Sequence, residues 1–211
     1  MSLISSLTYS YFWTAKIGDS DRNNDIMSGV NKYLKTNFIY NMALILPVKG
    51  ISPQFGEDCY LAENATIVGE VIMGKNCSVW FNAVVRGDVN SITIGDNTNI
   101  QDGAIIHCTY QAASTVIGDN VSIGHNAVVH GCIVESNVLI GMGAIIMDNA
   151  VVKSGSIIAA GAVVLENTIV EENSIYAGVP TKKVKDVDSK RDYVFERTAK
   201  NYILYSSWFK K

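Results

Sequence analysis

An aliphatic residue recurs at every sixth position over most of this chain, and that spacing constrains the fold more than any other feature. From Val134 the frame runs through Ile140, Ile146, Val152, Ile158, Val164 and Val170 and then reaches Tyr176. Upstream it passes through Leu61, Ile67, Met73, Val79 and Val85, resumes at Ile94, Ile100 and Ile106, and resumes again at Ile117, Ile123 and Val129. Three irregular steps interrupt it: nine residues from Val85 to Ile94, eleven from Ile106 to Ile117, and five from Val129 to Val134. An amphipathic helix needs a period near 3.6 and a half-buried strand a period of two. Neither accounts for eighteen units of six between Leu61 and Val170. A short repeat sustained over this length is the mark of a solenoid.

The fourth position of the unit is Asn in ten of the eighteen units and Gly in four more, as at Asn64, Asn97, Asn126, Asn149, Gly103 and Gly143. Gly and Asn enter the left-handed backbone region most readily, so a sharp corner is predicted once per unit. The next position is often small, as in Ala65, Ala83, Ala104 and Ala144. Each unit thus reads as a short strand and a tight corner, and three units make one triangular coil. Eighteen units predict six parallel coils, stacked about 4.8 Å apart into a prism roughly 29 Å tall. With 17 Gly and only 3 Pro, the composition fits a chain that turns often and pairs its backbone everywhere.

The repeat defines a domain over residues 42–182. Residues 1–41 hold no hexad frame and read as an N-terminal extension of uncertain role; Met42 reads as a plausible start, which would make that extension dispensable. From about Asp186, Val187, Val194, Phe195, Tyr202, Ile203 and Tyr205 alternate with charges without Gly or Pro, so residues 183–211 are expected to form one amphipathic helix. Lys and Arg number 17 against 20 Asp and Glu, a net charge of −3. That balance excludes an electrostatic grip on nucleic acid and a polybasic membrane anchor. No apolar run reaches the roughly 18 residues of a bilayer span, and no secretory leader is evident, so the chain reads as cytoplasmic. Cys59, Cys77, Cys108 and Cys132 form no C-x-x-C pair and read as reduced, mostly buried thiols.

All three histidines of the chain, His107, His125 and His130, fall within 24 residues inside the repeat. His107 follows Ile106 and His130 follows Val129, three units later, which is one full coil. Their imidazoles should stack on one face about 5 Å apart, close enough to share one divalent metal with nitrogen–zinc distances of about 2.0–2.1 Å. His125 holds the third position of its unit and should emerge at a different corner. A threefold assembly would solve this by bringing a neighbouring subunit's His125 to the stacked pair, so the spacing points to a homotrimer with metals at its interfaces. Three ligands leave the fourth position that a catalytic zinc site keeps open, where bound water becomes hydroxide near neutral pH. Gln101 and Asn99 are expected near this column, with amides able to orient a small substrate. Arg86 shares the column and, with Asp88, reads first as a structural ion pair, while Cys108 and Cys132 read as packing residues.

The runs Val79-Trp80-Phe81-Asn82-Ala83-Val84-Val85-Arg86-Gly87-Asp88 and Thr98-Asn99-Ile100-Gln101-Asp102-Gly103, the segments Ile123-Gly124-His125 and Val129-His130-Gly131-Cys132, and Ile140-Gly141-Met142-Gly143 resemble the gamma-class carbonic anhydrase family of hexapeptide-repeat proteins. The resemblance spans roughly Leu46 to Lys182. It implies an all-β solenoid, a left-handed parallel β-helix closed by a C-terminal α-helix and assembled as a trimer, an exception to the right-handed crossover rule. It also implies zinc or ferrous iron bound by His107 and His130 of one subunit and His125 of the next. Gln101 and Asn99 match residues that position metal hydroxide and carbon dioxide, Tyr176 matches a tyrosine near the site, and Arg86, Asp88 and Asp102 match interface polar residues. The implied reaction is reversible hydration of CO2 to bicarbonate by metal-bound hydroxide.

Two positions depart from the family's archetype. Its glutamate after the Arg-x-Asp triplet is Val89 here, and its glutamate three residues after the first histidine is Tyr110. The segment Cys108 to Thr115 carries no carboxylate. This resembles a shorter branch of the family, and loss of the proton shuttle should slow hydration by on the order of 10²–10⁴. Two other readings compete with the anhydrase. Hexapeptide prisms also resemble acyltransferases and acyl-coenzyme A thioesterases that use a single histidine as general base between subunits. A noncatalytic binding protein whose metal only stabilises the trimer is the third.

Overall fold

A computed structural model describes residues 42–188 and 193–210, which form a parallel β-solenoid of seven triangular coils followed by one helix. Each coil contributes one short strand to each of three faces. Face A stacks Ile45, Ile67, Val85, Ile106, Val129, Ile146 and Val164 in register. Face B stacks Phe55, Met73, Ile94, Ile117, Val134, Val152 and Val170. Face C stacks Leu61, Val79, Ile100, Ile123, Ile140, Ile158 and Tyr176. The hexad residues point inward and form one continuous core, in which Ile67, Ile100, Ile106, Ile123, Ile146 and Ile158 are wholly buried.

The six coils expected from the period become seven. The additional coil is the first, built from Leu44–Leu46, Gln54–Phe55 and Tyr60–Leu61. Its frame is hidden because Ile45 and Phe55 are ten residues apart, separated by Pro47 and a small turn in which Val48 pairs with Ile51. Lys182–Asp186 is a second departure. Instead of beginning a helix, it folds back antiparallel on Ser174–Ala177, and α1 occupies only Tyr193–Ser207. The alternating Lys182, Val184 and Asp186 suit an exposed edge strand, which ends the sheet with charge. The extension, residues 1–41, lies outside the described residues.

The corners explain the Asn and Gly. Nine of the ten fourth-position Asn and all four Gly have φ between +51° and +70°, Asn64 being the exception. Along the B-to-C edge the Asn side chains form a ladder, Asn76 donating to Asn97, Asn97 to Asn120 and Asn120 to Asn137, each at 3.2 Å. Four units carry neither Asn nor Gly at this position. Their residues are Glu70, Asp88, Thr109 and Cys132, which occupy one edge, A to B, in four consecutive coils. The three irregular steps of the period fall on that same edge.

Helix α1 lies against face C, over Ser78–Val79 and Ser122–Ile123. It buries Phe195, Ala199 and Ser206, and Tyr202 meets Trp80 edge-on at 5.5 Å. This explains why face C carries the small polar outward residues Ser78, Asn99 and Ser122, all buried, where faces A and B carry exposed Ile. No helix among the described residues is long and apolar enough to cross a membrane.

Truncating Ile140→Ala opens a cavity in a core that has no loose neighbour to refill it, and should cost about 2–5 kcal/mol in urea unfolding. At the corner residue Asn167, φ is +61°. Asn167→Gly should leave the melting temperature nearly unchanged, whereas Asn167→Val should cost about 1–3 kcal/mol. Equal effects of these two corner variants would contradict this account of the repeat.

Candidate functional site

The A-to-B edge gathers one half of the sequence-predicted site. His107 and His130 are register partners on adjacent strands of face A, with ring centroids 5.1 Å apart. His107 Nδ1 and His130 Nε2 face each other across 3.1 Å. Each ring's other nitrogen meets a carboxylate: His107 Nε2 lies 3.1 Å from Asp88 Oδ1, and His130 Nδ1 lies 2.5 Å from Asp148 Oδ1. Arg86 Nη1 donates to Asp88 Oδ2 at 2.5 Å, which is the structural ion pair expected of those two residues, extended here to a histidine.

These contacts decide the tautomers. A carboxylate can only accept, so His107 carries its proton on Nε2 and His130 on Nδ1. The two remaining nitrogens then present lone pairs to each other at 3.1 Å, an arrangement that requires a positive charge between them, either a proton or a metal ion. Two ligands of a tetrahedral zinc, at about 2.0–2.1 Å from the ion, sit about 3.3 Å apart. The donor pair therefore fits one ion with little adjustment, and the carboxylate behind each imidazole is the usual support of a metal-ligating histidine. Among the described residues, no three His, Cys, Asp or Glu side chains of the chain converge as a metal site.

Burial raises the Asp88 carboxyl, but the hydrogen bonds from Arg86 and His107 and the charge of Arg86 outweigh it and hold Asp88 below the usual carboxylate range. Asp148 follows the same pattern: burial raises it, and Thr109, His130 and the charge of the two histidines bring it below that range. Cys108 and Cys132 are buried beside this edge, and burial pushes Cys132 up to about 12 and raises Cys108 as well. Both are neutral packing thiols; Cys108 donates to the Asn90 carbonyl at 3.1 Å.

The C-to-A edge holds the other half. His125 stands one residue before the Asn126 corner, with Nδ1 2.9 Å from Asp102 Oδ2 of the preceding coil. Its side chain is 41% exposed, against 17% for His107 and 33% for His130. Asn99 and Gln101 are here too, not in the column of His107 and His130. Gln101 Nε2 donates to Asn99 Oδ1 at 3.0 Å, and Asn99 Nδ2 donates to Ser122 Oγ at 2.8 Å. Gln101 and His125 border a groove of about 380 Å³ floored by Leu139, Ile140, Ile157 and Ile158 and flanked by Thr198 of α1. Tyr176 sits apart from both halves, 8% exposed at the inward position of the seventh coil, one step above Ile158.

Asp148 was missed in the sequence. It lies 18 residues beyond His130 and becomes its neighbour only because one coil stacks on the next. Tyr110, which replaces a carboxylate, is 58% exposed and accepts a hydrogen bond from Gln111 Nε2 on its hydroxyl, with Lys49 Nζ 5.8 Å over its ring.

Comparisons with known proteins agree with this architecture. The family described as bacterial transferase hexapeptide (six repeats) matches residues 114–147 and 131–166. A carbonic anhydrase of Geobacillus kaustophilus is 38% identical over 169 residues, 79% of this chain and 91% of that protein. The mitochondrial gamma carbonic anhydrase 2 of Arabidopsis thaliana is 40% identical over 72% of this chain, which spans 56% of that longer relative. Among solved structures, a hexapeptide transferase family protein from Anaplasma phagocytophilum is 38% identical with a TM-score of 0.75, covering 79% of this chain and 98% of its own. With the repeat, the edge of paired histidines, a carbonic anhydrase matched over 91% of its length and the mitochondrial gamma carbonic anhydrase 1 of Arabidopsis thaliana, 34% identical and matched over 71% of its length, the chain belongs to the gamma-class carbonic anhydrase family of hexapeptide-repeat proteins.

Proposed function

We propose that this protein is a metal-dependent carbonic anhydrase that catalyses reversible hydration of CO2 to bicarbonate at the interfaces of a homotrimer. The observation that carries this reading is the pair of imidazole lone pairs converging across 3.1 Å, each ring held from behind by a carboxylate. His107 and His130 would hold Zn²⁺ or Fe²⁺ from one subunit. His125, exposed on the other edge and oriented by Asp102, would complete the set from the next subunit. A divalent ion bound there supplies a Lewis acid that makes water nucleophilic near neutral pH.

The chain's own residues do the rest. Asp88, anchored by Arg86, keeps the His107 proton on Nε2 and so aims Nδ1 at the ion. Gln101 spends its amide N–H on Asn99 and keeps its amide oxygen for a hydrogen bond from water or bicarbonate. The apolar floor of Leu139, Ile157 and Ile158 suits an uncharged linear molecule. With Val89 and Tyr110 in place of acidic residues, protons leave through buffer and not through a side-chain shuttle.

The Anaplasma phagocytophilum relative is named a transferase, and the second reading, which takes the transferred group as acyl with one histidine as general base, starts from that name. That reading needs a single imidazole and gives the stacked pair no task.

Stopped-flow hydration of CO2, with Zn²⁺ and with anaerobic Fe²⁺, should exceed the metal-free control and rise with buffer concentration. Each of His107→Ala, His125→Ala and His130→Ala should lower it by at least about 10²-fold. No hydration above the control with either metal would refute the proposal, and acyl transfer dependent on His125 alone would favour the second reading. His125→Ala should lose metal yet remain trimeric by sedimentation; dissociation of that variant into monomers would favour a scaffold whose metal is structural.

A further inference from the structure

We propose that Asp148, with Thr109 and Gly131, forms a positioning device for His130 that sets the affinity of the metal centre, an inference that rests on the metal-binding reading above. The three irregular steps of the repeat and the four corners without Asn or Gly have no explanation in the solenoid itself. All of them lie on the A-to-B edge, and the three steps, with the corner residues Asp88 and Thr109, supply the pieces of one network.

The nine-residue step brings Asp88 to His107 and Asn90 Nδ2 to the Thr109 carbonyl at 3.3 Å. The eleven-residue step inserts a loop pinched by paired Thr109 and Ala113, with Thr109 N–H donating to the Ala113 carbonyl at 2.9 Å. This loop holds the Thr109 hydroxyl against Asp148 Oδ2. The five-residue step places Gly131, at φ +53°, immediately after His130. A Cβ at Gly131 would lie 2.6 Å from Asp148 Oδ1, so only glycine leaves that carboxylate room to reach the imidazole. Thr115 fixes the base of the loop, donating its hydroxyl to the His107 carbonyl at 2.5 Å and accepting from the Gly131 N–H at 3.0 Å.

The result matches the arrangement at the other imidazole. Asp88 has one oxygen on Arg86 and the other on His107; Asp148 has one on Thr109 and the other on His130. An anchored carboxylate cannot rotate away, so it keeps the proton on Nδ1 and the lone pair of Nε2 directed at the ion. Without it, the ring is free to take the other tautomer and point a proton inward.

Zn²⁺ affinity of the full-length chain, measured by competition with a chromophoric chelator, should fall about 10–100-fold in Asp148→Ala. Thr109→Val, which keeps shape and removes only the hydroxyl, should fall several-fold, and Thr109→Ser should restore wild-type affinity. In metal-free protein labelled with ¹⁵N-histidine, His130 should lose its Nδ1 proton and keep one on Nε2 in Asp148→Ala, a signature that loss of packing alone does not produce. Wild-type protein that binds Zn²⁺, with Asp148→Ala and Thr109→Val each within about twofold of it, overturns this inference and leaves the metal centre standing. Wild-type protein that binds no Zn²⁺ overturns both. Should Asp148→Ala fail to fold, the comparison of Thr109→Val with Thr109→Ser decides alone.

Discussion

The parallel backbone ladder between successive coils is the interaction on which the rest of this protein depends. Each inward residue is locked to its counterpart one coil away, as when the Gly124 N–H donates to the Ile140 carbonyl and the Gly141 N–H to that of Ile158, at 2.8 and 2.7 Å. A register of this kind turns distance along the chain into height along a prism. Residues some 17 to 23 positions apart become nearest neighbours, and so His130 comes to rest directly over His107. No loop has to be folded around the pair, because the ladder that closes the core also sets the separation of the two rings.

Electrostatics then gives the edge its character. Two facing lone pairs repel, and a chain that holds them in place with a carboxylate behind each ring has committed to a positive charge between them. Asp88 and Asp148 both lie below the usual carboxylate range, since their hydrogen-bond donors favour the charged form more than burial opposes it. Near neutral pH both are anions, and they supply the counter-charge that a bound cation would need. The buried thiols Cys108 and Cys132 stay protonated beside them and add no charge.

Much of this was legible in the sequence because a period is a global signal. The inward position of Ile106 or Ile158 is fixed by every other unit in the frame, and the corner at Asn126 or Gly143 follows from backbone sterics alone. Where the frame breaks, inference weakened. Ile45 and Phe55 belong to a coil whose ten-residue step hides it, and Lys182–Asp186 pairs antiparallel on a fold that is otherwise parallel. Asp148 carried no mark, since nothing local distinguishes it from Asp96 or Asp119, which accept from the backbone N–H groups of Lys75 and Asp96, Asp96 also pairing with the Lys75 ammonium. Asn99 and Gln101 were expected beside the stacked histidines; their place on face C follows from counting units by threes, which sets them with His125. Tyr176 continues the hexad frame and takes its core position, whatever else its hydroxyl meets in an assembly.

The exceptional edge also separates stability from chemistry in an unusual way. Because each coil is closed by its own corners and joined to its neighbours by its own ladder, residues added at one corner leave the register of every other strand untouched. The step from Ile106 to Ile117 already carries five residues beyond the period without displacing Ile117 from its partner Val134. A solenoid of this kind can therefore acquire, lose or exchange a functional loop one coil at a time, and the cost of such a change falls on the loop and not on the core.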